Sequence, residues 1–180
     1  MGYSFRSRLE VAVKGDVAVI QMKDIDDTHL LHPEGLVRVQ MPELKVRHFV
    51  QKGDLLFRSR GITNSAALVA IDLDRTLLAA PMLLIRPKAE FVEPAYLQWF
   101  INHPSTQAKL AGQAAGTAVK MIGKGVLDQL AVILPPLEKQ RSIVELARLA
   151  ACEAALLEKL KARRKALLDG ILLRQAKLSA

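Results

Sequence analysis

The sequence predicts an α+β protein: a strand-rich domain over residues 1–134, followed by a long helix over 135–180. Two observations predict it. Five short apolar or alternating runs, most of them bounded by Gly, Pro, Asp or Asn, fill the first half of the chain. Then Leu134-Pro135-Pro136-Leu137 opens a stretch that has no further proline and only one glycine, Gly170, as far as Leu178.

The strand candidates are Val17–Met22, Leu36–Gln40, Asp54–Arg58, Ala67–Ile71 and Met82–Ile85. Gly53-Asp54 reads as a tight turn feeding a strand that ends at Gly61. Strands spaced by loops, with little helix between them, favour a curled or barrel-like antiparallel sheet over a doubly wound one. One helix interrupts the pattern. Pro94 suits a first turn, and Tyr96, Leu97, Phe100 and Ile101 make one apolar face. His103-Pro104 breaks that helix, and a second segment follows from Thr106 to Leu110. Gly112, Gly116, Gly123 and Gly125 crowd the next loop, which leads to a sixth expected strand, Leu130–Leu134.

In the last element Pro135 and Pro136 forbid helix before them. Beyond them Ala, Leu, Lys, Arg, Glu and Gln dominate, all strong helix formers. A helix to Leu178 would reach roughly 60 Å, longer than one small domain can cover. It requires a partner. Leu146, Ala150, Glu153, Leu157, Leu160, Arg164, Leu167 and Ile171 keep a strict 4-3 spacing, a coiled-coil seam with two charged interruptions. With two copies antiparallel and Leu157 facing Leu160, Ala150 faces Leu167, Leu146 faces Ile171, and Glu153 faces Arg164. A parallel pair would set like charges against each other. Antiparallel self-pairing is the expectation; the alternative is that this face packs on another protein or on the chain's own domain.

The chain has 180 residues, a net charge of +8 and a hydrophobic fraction of 51%. That fraction suffices for a core, and the basic balance points to a polyanion, nucleic acid first. The single Cys152 cannot form an intramolecular disulfide and is expected as a small buried apolar residue of the helix. No apolar run approaches a membrane span, and the first residues lack the apolar core of a signal peptide. A cytoplasmic location is expected. Catalysis is not: His29, His32, His48 and His103 are scattered, and His29-x-x-His32 stands without further ligands. The glycine-rich loop is neither a P-loop nor a dinucleotide fingerprint. No enzyme activity, metal or cofactor is expected.

Binding is better supported. Arg58-Ser59-Arg60-Gly61 sets two guanidiniums beside a turn, where they can fork onto phosphate or a guanine edge, and Arg58, Ser59 and Arg60 are all expected to contact DNA; the alternative is a solvated hairpin end. Thr117, Lys120 and Lys124 stand on the glycine-rich loop, whose backbone can approach phosphates, or which is an ordinary connector. Lys14 and Arg47 are weaker candidates of the same kind.

Several segments resemble the DNA-specificity (S) subunits of Type I restriction–modification systems. They are Gly53–Gly61, Pro94-Ala95-Tyr96-Leu97, Gly116-Thr117 followed by Ile122 and Leu127, and above all Leu134-Pro135-Pro136-Leu137-Glu138-Lys139-Gln140-Arg141-Ser142-Ile143 running into the helix. The resemblance implies a target-recognition domain over 1–134 and a conserved spacer and dimerisation helix over 135–180. It also implies double-stranded DNA, methyltransferase (M) subunits and, through the complex, the restriction (R) subunit as partners. A full S subunit has two recognition domains and two spacer helices; this sequence has one of each, like a half-subunit that homodimerises onto a bipartite target. A free-standing dimeric DNA-binding regulator is the alternative.

Overall fold

The structure, a computed structural model, describes residues 2–5, 12, 15–41, 44, 48–61, 64–113 and 121–178. It divides into two compact units, residues 1–140 and 141–180.

The first unit is built on two three-stranded sheets. In one, β1 (Val17–Ile20) lies between β2 (Val37–Val39), antiparallel, and β5 (Thr76–Leu78), parallel. In the other, β3 (Leu55–Phe57) lies between β4 (Ala66–Leu68) and β6 (Leu83–Ile85), both antiparallel. The expected single antiparallel sheet is thus two sheets, one of them mixed. The difference is β5, which no local pattern announces: it has three residues and pairs in parallel with a strand near the start of the chain.

Strand alternation sorts the core into layers. Leu56, Ala67 and Val69 meet Ile20, Ile25 and Leu78 between the sheets. Leu55, Phe57, Ala66 and Leu83 point the other way, onto α1 (Pro94–Asn102) and α2 (Pro104–Gln113) through Leu97, Ile101 and Leu110. Val17, Val19, Val39 and Leu77 face a third cluster with Tyr3, Phe5 and Phe49. Each fully buried side chain of this size contributes about 1.5–3 kcal/mol.

Buried polar groups fix the joints. Gly53 adopts φ +90° in the turn before β3, a conformation that glycine accepts without strain. Next to it the buried Asp54 carboxylate takes a bidentate pair of bonds from Arg86, Nε and Nη2 each at 2.7 Å. This bond, together with the charge of Asp54, raises the Arg86 pKa. Asn102 on α1 both accepts from the Ala66 N–H and donates to its carbonyl, at 2.8 Å each, tying the helix to β4.

Residues 130–134 form no strand. Leu130 and Val132 turn into the α1 layer, and the Ile133 carbonyl accepts from the Tyr96 hydroxyl at 2.7 Å. The alternation expected of a strand serves an extended segment held by a side chain. The glycine-rich stretch holds a short helix, α3 (Lys124–Asp128), with Gly123 before its first turn.

Helix α4 runs over Leu137–Leu178. Its first turn belongs to the first unit, where Gln140 is fully buried. The Gln140 side chain accepts from the Glu93 N–H at 2.9 Å and donates to the carbonyls of Phe91 (3.0 Å) and Pro135 (2.7 Å). In the second unit the seam leucines are uncovered: Leu146 is 70% exposed and Leu160 63%. Cys152, expected buried, is exposed as well, since the helix stands uncovered there within the single chain.

Candidate nucleic-acid interface

Beyond β3 the burial changes residue by residue: Arg58 is half-buried, Ser59 buried and Arg60 exposed. Ser59 is buried; its hydroxyl donates to the Pro81 carbonyl, and its own carbonyl accepts from the Ile122 N–H at 2.8 Å. A single antiparallel bridge pairs Arg60 with Met121. The basic strand end and the end of the glycine-rich loop are therefore one backbone-paired site, although some 60 residues separate them in sequence.

Around this junction the side chains differ in what they offer. Arg58 is half-buried, its N–H donating to the Ser65 carbonyl at 2.8 Å, and its buried Nε has no acceptor among the described residues. Arg60 is exposed and lines an open groove with Tyr3, Phe5, Gln21, Met22 and Pro81. A guanidinium and a carboxamide on an aromatic floor are groups that can read base edges. Gln21 was not among the sequence candidates; it joins Arg60 only because β1 ends beside the Ala79–Pro81 turn. Lys124 pairs with Asp128 at 2.7 Å, both exposed. Such a surface pair is worth little. The two line an otherwise apolar cavity of about 230 Å³ with Leu83, Leu97, Ile101 and Val132. Lys14, Arg47, Thr117 and Lys120 lie outside the described residues.

The histidines serve local structure. His32 bonds Asp26 at 2.8 Å, and Asp26 also accepts from the N–H groups of Thr28 and Leu30 and the Thr28 hydroxyl. Chiefly through the His32 bond, these hold the Asp26 carboxyl well below the usual carboxylate range. His29, half-buried at φ +66°, keeps a buried Nδ1 without a partner among the described residues. Among those residues no cluster of His, Cys, Asp and Glu could hold a metal ion. No helix there is long and apolar enough to cross a membrane.

On α4 the eight seam residues, Leu146, Ala150, Glu153, Leu157, Leu160, Arg164, Leu167 and Ile171, are all exposed. Glu153 and Arg164 stand about 16 Å apart along the helix, too far to pair within one chain.

The model of the Type I restriction modification DNA specificity domain matches residues 2–163. The chain belongs to this family. Solved structures agree on the fold of the specificity domain. The HsdS subunit from Thermoanaerobacter tengcongensis superposes with a TM-score of 0.63 at 23% identity, over 87% of this chain and 40% of that one. A chain from a structure on complex assembly and conformational transition of the type I R-M system gives 0.59 at 26% identity, over 90% of this chain and 42% of that one. This specificity domain thus spans about two-fifths of the length of the chains it matches. A search of curated proteins gave no match.

Proposed function

We propose that this chain recognises a specific double-stranded DNA half-site as the specificity component of a Type I restriction–modification complex. It does so without catalytic chemistry of its own, bringing methyltransferase subunits and, through them, the restriction subunit to the target. Residues 1–134 serve as the recognition domain and 135–180 as the spacer and dimerisation helix. The observation that carries the reading is the pairing of the Arg58–Gly61 strand end with Met121 and Ile122. It joins a two-arginine segment to a glycine-rich, lysine-bearing loop in a chain of this family.

In this reading Arg58 and Arg60 contact DNA, with Lys124 and, from the loop and the N-terminal part, Thr117, Lys120, Lys14 and Arg47. Arg58 brings a donor that has no acceptor among the described protein groups. Ser59 acts as a positioning residue, since its hydroxyl and carbonyl fasten the strand end to Pro81 and Ile122. The uncovered seam of α4 supports an antiparallel homodimer through Leu146, Ala150, Glu153, Leu157, Leu160, Arg164, Leu167 and Ile171. Twofold symmetry then makes the target bipartite and palindromic.

Light scattering of the purified chain at low and high salt tests the assembly. A salt-resistant particle of twice 19.8 kDa is expected; a monomer refutes the homodimer. Duplex binding that tightens or gains sequence preference when methyltransferase subunits join is expected. Tight operator-like binding indifferent to those subunits refutes the specificity role.

A further inference from the structure

The positive charge is not where a DNA-reading domain alone would put it. Residues 141–180 carry nine Lys and Arg against four Asp and Glu, a surplus of five out of the chain's +8. Five of the nine stand in seven consecutive residues, Lys159, Lys161, Arg163, Arg164 and Lys165, all exposed, with Glu158 beside them. Lys161 approaches Glu158 at 3.6 Å on an open surface, a contact that water and salt screen. Lys159, Arg163, Arg164 and Lys165 have no acidic partner among the described residues.

Self-pairing does not account for this belt. In the antiparallel register that sets Leu157 against Leu160, Arg164 meets Glu153 of the other copy. Lys161, flanking the seam, falls opposite Ala154, and Arg163 falls opposite Leu156. Lys159 and Lys165 lie outside the seam altogether. Lys159 with Arg163 and Lys161 with Lys165 are i,i+4 neighbours, so each copy carries two short columns of cations. Twofold symmetry puts both belts at the middle of the dimer, within about 10 Å of the axis on either side. The centre of the assembly, equidistant from its two recognition domains, is thus a basic zone about 20 Å long, the span of some six base pairs.

We propose that this belt holds the phosphate backbone of the DNA between the two half-sites. The long helix then grips the intervening duplex, without reading its sequence, as well as separating the recognition domains. The inference rests on the DNA-binding antiparallel dimer proposed above. Lysine and arginine on a rigid helix suit phosphate contacts, which fix position and carry no sequence information.

The test uses the full chain and a 40-base-pair mixed-sequence duplex followed by fluorescence anisotropy between 50 and 200 mM KCl. The variant Lys159→Gln with Lys165→Gln removes two outward cations per copy. The variant Arg148→Gln with Arg174→Gln removes the same charge away from the belt, and light scattering checks the mass of both. Each lost phosphate contact lowers the salt slope by about 0.9, so the belt variant, losing four per dimer, should lower it by about 3–4. The control should lower it by less than about 1. Equal changes in the two variants overturn the belt. So does an unchanged slope accompanied by weaker capture of a methyltransferase subunit, which would assign these cations to an acidic protein surface. A parent chain that is monomeric or binds no duplex overturns the underlying dimer or DNA reading, and the belt with it.

Discussion

Gln140→Leu should uncouple the start of the long helix from the recognition domain at almost constant side-chain volume. The side chain is fully buried, and its amide serves three backbone groups: the Glu93 N–H and the carbonyls of Phe91 and Pro135. A neutral hydrogen bond contributes about 0.5–1.5 kcal/mol net, and a buried group left without one costs more. Three such losses amount to about 3 kcal/mol, offset in part by the apolar surface that leucine buries. Urea unfolding followed by the fluorescence of Trp99, the chain's single tryptophan and part of α1, reads this domain rather than the helix. With a net loss of about 2 kcal/mol and an m value of about 1.5 kcal/mol/M, the midpoint should fall by about 1.3 M at unchanged slope. Gln140→Glu should do at least as much damage at pH 7, because a carboxylate keeps the acceptor but faces two carbonyls, and it should recover in part as acid returns a donor. A midpoint shift below about 0.5 M for Gln140→Leu, or no acid recovery for Gln140→Glu, would refute the claim that the amide pins this turn.

Four other outcomes follow from the same structure. Arg86→Met leaves the buried Asp54 carboxylate without its bidentate partner and should destabilise the domain by about 2 kcal/mol in the same urea assay, at the low end for such pairs because Arg86 is 41% exposed. Asp26 contributes stability above its ordinary value of 3.8 and loses it as pH falls through the lowered folded-state value; the gap in melting temperature between the parent and Asp26→Asn should therefore stay constant above about pH 5 and narrow steadily as pH falls below about 4. Arg58→Ala with Arg60→Ala should weaken duplex binding at least tenfold while light scattering reports an unchanged mass; unaltered affinity would remove the strand end from the interface. Glu153→Arg should weaken self-association, and adding Arg164→Glu should restore it; failure of the double variant to recover would refute the antiparallel register.

What the sequence disclosed and what it hid divide along the range of the interactions. Helix α4 was legible from one stretch, since Pro135-Pro136, the helix formers behind them and the 4-3 spacing are all local. The start of α1 at Pro94 and the break at His103-Pro104 were legible for the same reason. Strand β5 was not: its parallel partner β1 ends more than fifty residues upstream, and Arg75 before it takes φ +27° without the glycine that would have marked a turn. The strand expected at 130–134 failed in the opposite way. Alternation reports only that one side of a segment is buried, and here the Tyr96 hydroxyl, not a neighbouring strand, takes up a carbonyl.

The candidate site repeats the division with a functional consequence. Arg58, Arg60 and Lys124 were visible as residue types in flexible basic settings, yet the junction of the arginine segment with the glycine-rich loop depends on Ile122 bonding Ser59 and Met121 pairing with Arg60, while Lys124 lines a separate cavity. Ser59 then changes character: a hydroxyl between two arginines suggests a DNA contact, but held by Pro81 it fixes the backbone from which both arginines project. The helix poses the converse problem. Its seam is regular enough for a second copy to satisfy it in the proposed dimer, and the cations at 159–165 would then mark what such a dimer meets rather than what builds it. A helix whose sole task was to hold two domains apart would gain nothing from like charges gathered at its middle, because in the paired state they repel across the twofold axis. Within the proposed dimer, their concentration against that repulsion is what a polyanion lying along the centre would offset.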